Sequence, residues 1–134
     1  MVHHHNVKIY YEDTDAGGVV YYANYLRYME RARTELLAER GIDVSSYHAK
    51  GYLFAVVNVD VQYKKPAVLG DLIDVTTEVQ DVTNVTITLS HRIFRGETLL
   101  VEANVRLACI GKDGKPQRLP EEFTRLLPIK EKCL

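Results

Sequence analysis

Hydrophobic and polar residues alternate along five stretches of this chain, and this period of two is typical of half-buried β-strands. The first stretch is short, with Val7, Ile9 and Tyr11 on one face. Four longer stretches follow residue 52, and the short turns between them predict antiparallel pairing. The predicted inward faces are Leu53, Ala55, Val57, Val59, Val61 and Tyr63; Ile73, Val75, Thr77 and Val79; Val85, Ile87, Leu89, His91 and Ile93; and Leu99, Val101, Ala103, Val105, Leu107 and Cys109.

A helical period replaces the alternation over residues 24–40. The apolar positions of this segment are Tyr25, Met29, Ala32, Leu36 and Leu37. Asn24 is placed to cap the helix at its start, and Gly41 stands where a glycine commonly ends one. A second, short helix is predicted to start with Pro120 at its first position, with Phe123, Leu126 and Leu127 as its apolar face. The pattern also predicts that Tyr28 is a core or interface residue and that Cys109 is a core residue. His91 is expected to be a core histidine with its hydrogen bonds satisfied, and the spacing of Glu30 and Arg33 would allow them to pair on the helix.

The order of elements predicts an α+β fold in which an antiparallel sheet wraps around one long central helix, because that helix has only the sheet to bury against. With 134 residues, the whole chain, 1–134, is expected to form one domain. A chain of this size has difficulty enclosing a sizeable ligand, so a second subunit is a plausible source of one wall of a binding site.

The chain is nearly neutral, because 17 Lys and Arg oppose 18 Asp and Glu. This balance removes the usual electrostatic argument for binding nucleic acid or an anionic membrane. There is no apolar run long enough for a membrane span, and Cys109 and Cys133 make neither a disulfide framework nor a zinc site. The sequence therefore favours a cytoplasmic protein with reduced thiols. We interpret the run His3 to His5 as the leading end of a strand rather than a metal site.

The segment between the first strand and the long helix carries the chemistry. It holds two carboxylates, Asp13 and Asp15, followed by Gly17 and Gly18. A helix N-terminus presents free backbone N–H groups, and glycines let a ligand approach closely. Donors and a carboxylate placed together suit attack on a carbonyl carbon. A calcium loop is not matched, because the twelfth position counted from Asp13 is Asn24, and simple helix capping by the acidic residues remains an open alternative.

The run YEDTDAGGVVY at residues 11–21, continued by Asn24-Tyr25 and by ERARTE at residues 30–35, resembles the hot-dog-fold acyl-CoA thioesterases. It is most similar to the branch that contains 4-hydroxybenzoyl-CoA thioesterase and the Tol-Pal-associated acyl-CoA thioesterases. The motif covers residues 10–41, and the later strands match in order and spacing. The resemblance implies hydrolysis of an acyl-CoA to free acid and coenzyme A by a homodimer or homotetramer with shared active sites.

The resemblance also assigns roles. Asp15 matches the catalytic carboxylate, as nucleophile or general base, and Asp13 matches an acid that holds the loop. The backbone N–H of Tyr22 falls at the oxyanion donor, where Tol-Pal-associated members commonly carry His. A thiol with a pKa near 8.5 leaves readily as thiolate, so no metal or other cofactor is expected.

Substrate-binding candidates are Gly17, Gly18 and Val19 in the loop, and Lys64, Lys65 and Arg92 as contacts for coenzyme A phosphates. Arg95 is a further candidate of the same kind, and an ordinary solvated surface is the competing interpretation for each of these cations. Two other functions stay open. A dehydratase or hydratase of acyl thioesters would need a catalytic His in another motif, which the chain lacks. A non-catalytic acyl-thioester-binding module would not need Asp15.

Overall fold

The computed structural model describes residues 2–127, so Cys133 lies outside the described residues. Five strands form one antiparallel sheet in the order β1-β3-β4-β5-β2. The elements are β1 (His3–Lys8), α1 (Asn24–Glu39), α2 (Val44–Ala49), β2 (Leu53–Tyr63), β3 (Leu72–Val82), β4 (Thr86–Arg95), β5 (Thr98–Ile110) and α3 (Glu121–Leu126).

Helix α1 packs against the inner face of this sheet, which confirms the predicted α+β architecture. Its buried side chains are Tyr25, Tyr28, Met29, Ala32, Arg33, Leu36 and Leu37. They meet the alternate residues of β3, β4 and β5 that the period-two pattern predicted to face inward, among them Val75, Leu89 and Val105. Burying a side chain such as Met29 or Leu36 stabilises the fold by about 1.5–3 kcal/mol, so this contact is a main source of stability.

The two ends of α1 differ from each other in how well they follow the prediction. At the C-terminal end Gly41 adopts a φ of +84°, the left-handed conformation that the predicted helix stop requires. At the N-terminal end Asn24 is not the cap but the first helical residue, and its side-chain amide donates instead to the carbonyl of Asp13 at 2.9 Å. The capping position belongs to Ala23, which has no side-chain acceptor to offer.

Strand β1 begins and ends earlier than predicted. It pairs with β3 from His3 to Lys8, and Tyr11 lies in a 3-10 turn with 81% of its surface exposed. The chain leaves the sheet here because the backbone N–H of Tyr10 donates to the carboxylate of Asp13 at 2.8 Å, which closes a turn. His3 and His4 are paired with the carboxylates of Glu39 and Asp74 at 3.1 and 2.7 Å.

Strand β2 contains a β-bulge at Val57 that the sequence pattern did not reveal. One extra residue shifts the side-chain phase, so every residue before it points the other way. Phe54 and Val56 therefore share the inner face with Val59, Val61 and Tyr63, and the predicted inward positions of Leu53, Ala55 and Val57 are wrong. Within residues 2–127 the strand pairs only with β5, and Val56, Val57, Val59 and Tyr63 are exposed along this edge of the sheet.

Helix α2 was not predicted, and it follows α1 after a short turn. Asp43 caps it by accepting hydrogen bonds from the backbone N–H and the hydroxyl of Ser45, at 3.1 and 2.7 Å. The predicted terminal helix is present as α3, with Phe123 fully buried and Pro120 at the capping position. Tyr47 of α2 contacts Phe123, so the two short helices close the same end of the core.

A polar cluster interrupts the apolar core between α1 and the sheet. His91 is fully buried, as the prediction of a core histidine requires, with its two ring nitrogens 3.2 Å from Arg33 Nη1 and 3.0 Å from Thr77 Oγ1. The predicted pair between Glu30 and Arg33 is wrong, because Arg33 points inward and no carboxylate among residues 2–127 lies within 4 Å of it. Burial, and then the Arg33 charge, lower the pKa of His91 to about 3, so the ring is neutral at pH 7.

Replacing His91 with Gln will change how stability depends on pH. Between pH 6.5 and about 3, the unfolded chain binds a proton at His91 and the folded chain does not, so acidification through this window destabilises the wild type. From this residue alone the free energy of unfolding falls by about 1.4 kcal/mol per pH unit. Urea denaturation at pH 7 and pH 5 should therefore show the stability advantage of the wild type over His91→Gln shrinking by about 2 kcal/mol.

The matched control for this comparison is His48→Gln, the same substitution at an exposed histidine of α2. A stability difference between wild type and His91→Gln that is the same at both pH values would contradict the neutral buried imidazole.

Candidate active site

A tight hairpin at residues 14–20, here called the Asp15 hairpin, leads from the 3-10 turn to α1. Thr14 and Val20 pair across its base, and the backbone N–H of Asp15 donates to the carbonyl of Val19 at 2.9 Å. The turn closes with a bond from the Gly18 N–H to the Asp15 carbonyl at 3.0 Å. Gly18 has a φ of +79°, a conformation that a residue with a side chain rarely adopts, which explains the glycine at this position.

Asp13 holds the hairpin in place, the structural role predicted for it. Its carboxylate accepts from the backbone N–H of Tyr10, and its carbonyl accepts from the Tyr21 N–H at 3.1 Å and from the Asn24 side chain. Burial, followed by the neighbouring Asp13 carboxylate, raises the pKa of the Tyr28 hydroxyl beneath it. Asp13 is thus tied to the chain before and after the hairpin and anchors it to α1.

The Asp15 carboxylate has a different environment. Its Oδ1 accepts a hydrogen bond from the Gly17 N–H at 2.8 Å, which orients the group, and its Oδ2 has no protein donor among residues 2–127. The side chain is exposed in a single chain. A carboxylate held by one oxygen and open at the other can act as nucleophile or as base.

The backbone N–H of Tyr22 points to no acceptor among the described residues, whereas the N–H groups of Tyr21 and Asn24 are both bonded. Tyr22 lies just before α1, so this free donor stands at the positive end of the helix dipole. The hydroxyl of Tyr63 donates to the carbonyl of Tyr22 at 3.3 Å and restrains the peptide from the side of β2. The arrangement can stabilise a negative oxygen.

A second loop, residues 64–71, supports the hairpin, and sequence reasoning did not include it in the site. It is called the Ala67 loop here. Val20 N–H donates to the Ala67 carbonyl at 2.9 Å, and Ala67 N–H donates to the hydroxyl of the buried Tyr25. Leu69 N–H also donates to the Gly18 carbonyl at 3.2 Å. The signal available in the sequence was Tyr25, a polar aromatic residue on the buried face of α1 that needed a hydrogen-bond partner.

Arg95, a predicted contact for coenzyme A phosphates, has a structural role, because it holds the Ala67 loop in place. Its Nη1 donates to the Asp71 carboxylate at 2.7 Å and to the Pro66 carbonyl at 3.3 Å. Partial burial raises the pKa of the Asp71 carboxyl. The hydrogen bond from the Val68 N–H and the Arg95 guanidinium lower it by more, so the pKa lies below its usual value.

A surface groove of about 230 Å³ opens between these loops and is called the Tyr22 groove. Its lining combines aromatic rings with two cations: Val20, Tyr22, Tyr25, Tyr63, Lys64, Lys65 and Pro66. The fold therefore brings Lys64 and Lys65 together with Tyr22, as a binding site for a phosphorylated ligand would need. Asp15 lies on the hairpin whose Val20 lines the groove, but the carboxylate itself is not part of the lining.

The other predicted substrate contacts are placed as follows. Gly17 and Gly18 form the turn of the Asp15 hairpin, and Val19 pairs with Val68 of the Ala67 loop. Arg92 lies on the outer face of β4, where its Nε is 3.5 Å from the Glu102 carboxylate, and it does not line the Tyr22 groove. Within residues 2–127 no three His, Cys, Asp or Glu side chains are grouped to hold a metal ion. None of the helices in this part of the chain has the length and hydropathy of a membrane span.

Comparison with known proteins agrees with this geometry. Residues 10–127 match the model of the thioesterase-like superfamily. An acyl-CoA thioester hydrolase, YbgC of Escherichia coli O6:H1, is 40% identical over 119 residues, which cover 87% of this chain and 89% of that protein. An acyl-CoA thioesterase, YbgC of Haemophilus influenzae, is 43% identical over 119 residues, 87% of each chain.

Solved structures show the same fold. A probable thioesterase from Bartonella henselae superposes with a TM-score of 0.84 at 33% identity, covering 90% of this chain and 100% of that one. The curved antiparallel sheet around α1 is the hot-dog fold. The match over residues 10–127 and the identity to curated relatives together establish that this chain belongs to the thioesterase-like superfamily.

Proposed function

We propose that this protein is an acyl-CoA thioesterase in which Asp15 is the catalytic carboxylate and the Tyr22 N–H is the oxyanion donor. The observation that carries the proposal is the Asp15 carboxylate, with Oδ1 held by Gly17 and Oδ2 open, on the hairpin that leads to a free N–H at the start of α1. The YbgC relatives are acyl-CoA thioester hydrolases, which supports an acyl-CoA substrate for this chain.

Two routes use the same groups. In the first, Asp15 Oδ2 attacks the thioester carbon, the Tyr22 N–H stabilises the oxyanion, and the C–S bond breaks to release coenzyme A thiolate. Water then hydrolyses the resulting anhydride and restores the carboxylate. In the second, Asp15 takes a proton from water while the resulting hydroxide attacks the carbon. The C–S bond then breaks to release the thiolate, and Asp15 returns its proton to the thiolate or to solvent. Both routes leave a free acid and coenzyme A, and neither calls for a resident cofactor.

The coenzyme A moiety is proposed to lie over the Tyr22 groove. Lys64 and Lys65 supply positive charge for its phosphates, and Gly17, Gly18 and Val19 offer backbone that a thioester can approach closely. Arg92 is left out of this proposal, because it is already paired with Glu102 on the outer face of the sheet.

The proposed assembly is a homodimer, alone or paired into a homotetramer, with active sites completed by the second subunit. Two observations support it: the Asp15 carboxylate is exposed in one chain, and β2 presents Val56, Val59 and Tyr63 at a sheet edge that no other strand of residues 2–127 covers. An exposed apolar edge strand is a template for pairing with another chain. We place the enzyme in the cytoplasm, where the free buried thiol of Cys109 would stay reduced.

Substituting Val59 with Lys should shift the protein toward monomer, because a charge on an edge strand opposes pairing with another strand. Light scattering at assay concentration should give at least a dimer for wild type and a smaller mass for Val59→Lys, with thiol release falling in parallel. The matched control is Leu72→Lys, which places the same charge at an exposed apolar residue of β3. A fully active wild-type monomer would contradict the proposed shared site.

Substituting Asp15 with Asn should lower kcat by a factor on the order of 10² or more, because the amide keeps the size but loses basicity and nucleophilicity. KM should change much less, since the interaction lost is made in the transition state. Asp13→Asn is the contrast, and its main effect should be a lower Tm, since Asp13 accepts the bond that closes the turn.

Thiol release and thermal unfolding of the two aspartate variants should be measured side by side. If Asp15→Asn turns over near the wild-type rate while folded Asp13→Asn is inactive, the roles of the two carboxylates are reversed.

Two substitutions of Tyr22 distinguish a role of its backbone N–H from a role of its side-chain hydroxyl. Tyr22→Phe keeps the N–H and should change turnover less than about threefold, whereas Tyr22→Pro removes the donor and should lower kcat by about 10²-fold or more. Circular dichroism confirms that each variant is folded, and thiol release gives the rates. A tenfold loss in folded Tyr22→Phe would show that the hydroxyl takes part in the reaction.

A further inference from the structure

Asn24 makes two hydrogen bonds that connect it to both proposed catalytic groups. Its backbone N–H donates to the Tyr21 carbonyl at 2.9 Å, and its side-chain amide donates to the Asp13 carbonyl, also at 2.9 Å. The first bond holds the peptide unit that carries the Tyr22 N–H, and the second holds the residue that directly precedes the Asp15 hairpin. Both bonds lie within one chain, so they are present whether or not a second subunit covers the site.

The bond to Tyr21 sets the direction of the proposed oxyanion donor. The Tyr21 carbonyl and the Tyr22 N–H belong to one peptide unit, and no peptide bond among residues 2–127 is cis. In a planar trans peptide these two groups point in opposite directions. Because the Tyr21 carbonyl points at the Asn24 N–H, the Tyr22 N–H points away from Asn24 and is left to bind another acceptor.

The bond to Asp13 sets the position of the Asp15 hairpin relative to α1. The Asp13 carbonyl accepts from the Asn24 side chain and from the Tyr21 N–H at 3.1 Å. The returning side of the hairpin is held separately, by backbone bonds to the Ala67 loop. Asn24 therefore acts on the side of the hairpin that carries the carboxylate, next to the start of the helix.

The Asn24 side chain does not serve the helix itself. Asn24 is the first residue of α1, and within residues 2–127 its amide bonds to Asp13 and to none of the N–H groups that begin the helix. A residue needed only to start the helix would direct its side chain at those groups.

The spacing between the carboxylate and the N–H donor matters because both act on one carbonyl group in the transition state. The attacking oxygen must lie about 3–3.5 Å from the carbon while the donor lies about 2.7–3.1 Å from the oxyanion. A displacement of about 1 Å can lower the rate by about 10²-fold. Without the Asn24 amide, the Asp13 carbonyl keeps the bond from the Tyr21 N–H, and a single bond lets the hairpin pivot.

We propose that Asn24 is a positioning residue of the thioesterase reaction, and that its side-chain amide sets the distance between the Asp15 carboxylate and the Tyr22 N–H. Asn24 does not touch the reacting atoms and acts through the backbone of Asp13. Loss of the amide should therefore slow the chemical step while substrate binding and the fold are kept. The proposal rests on the thioesterase function above.

Asn24→Ala and Asn24→Asp test this role together, in thiol-release assays of the full-length protein at pH 7. Alanine removes the donor and favours a helix. Aspartate keeps the size and is favoured at a helix N-terminus, but its carboxylate cannot donate to a carbonyl. Both variants should lower kcat by about tenfold or more, with KM within about threefold of wild type and Tm within a few degrees of it.

The matched control is Asn84→Ala, the same substitution at an exposed asparagine between β3 and β4, which should behave as wild type. The neutral alanine variant separates loss of the bond from the charge that aspartate adds. Wild-type kcat in either folded Asn24 variant would show that the residue only begins the helix, and would overturn the proposal.

A double-mutant cycle distinguishes positioning from a general loss of activity. If Asn24 aligns Asp15, the loss of about tenfold caused by Asn24→Ala should shrink to about threefold or less when Asp15 is already Asn. The same loss in both backgrounds would mean that Asn24 acts independently of the carboxylate, and would contradict its positioning role.

Hydrogen exchange provides a readout that does not need turnover. Amides of residues 14–22 should exchange faster in Asn24→Ala than in wild type or Asn84→Ala, because the hairpin has lost one of its links to α1. The substrates for the kinetic assays are butyryl-, octanoyl-, palmitoyl- and benzoyl-CoA. If wild type hydrolyses none of them, the thioesterase proposal fails, whatever the exchange shows. If wild type is active and Asn24→Ala changes neither the exchange nor kcat, the role of Asn24 alone is overturned.

Discussion

Helix α1 buries one complete face against the curved sheet, and the position of every functional group in the molecule follows from that contact. Met29 and Leu36 are fully enclosed by the strands, which prevents the helix from rotating or sliding without exposing apolar surface. The same constraint carries Arg33 into the core, where it meets His91, whose other ring nitrogen is bonded to Thr77. The polar cluster is tolerated because its cost is small beside the apolar area that the helix buries around it.

The geometry of the proposed active site depends on the segment that leads into α1. Tyr22 lies before the capping residue Ala23, and its backbone N–H meets no acceptor among residues 2–127, whereas the Asn24 side chain donates to the Asp13 carbonyl. The hairpin before it is too short to have a core of its own, and backbone bonds to the Ala67 loop support it instead. Tyr25 connects the core with the Ala67 loop, since its ring packs in the core and its hydroxyl accepts a hydrogen bond from the Ala67 N–H. A carboxylate and an N–H donor are thereby presented by rigid backbone rather than by flexible side chains.

Most of the fold could be predicted from the sequence, because burial against one core determines most of it. Period two in β3, β4 and β5 and the helical period of α1 both record burial against the same core, so these elements and the buried His91 were predicted correctly. Leu99 is the exception in β5, because a register shift opposite Ile93 and Phe94 places Leu100 in the core instead. The errors fall where local bonding, not burial, sets the conformation. The bulge at Val57 changes the phase of an edge strand whose first five residues, 53–57, are all apolar, and the bond from the Tyr10 N–H to the Asp13 carboxylate ends β1 before Tyr11.

The sequence by itself determined the types of residue available for chemistry: an acidic pair, glycines in a turn and the start of a long helix. It also indicated that Asp13 and Asp15 would differ, and the structure gives them different hydrogen-bond partners. Only the tertiary structure decided which cations gather at the groove, because Lys64 and Lys65 come from a loop forty residues away along the chain, whereas Arg92 points from the other face of the sheet. The burial of Arg33 belongs to this second group as well. A side chain at the boundary between the exposed and the buried face of a helix can point into solvent or into the core. Which of the two it does depends on the partner that the folded sheet places opposite it.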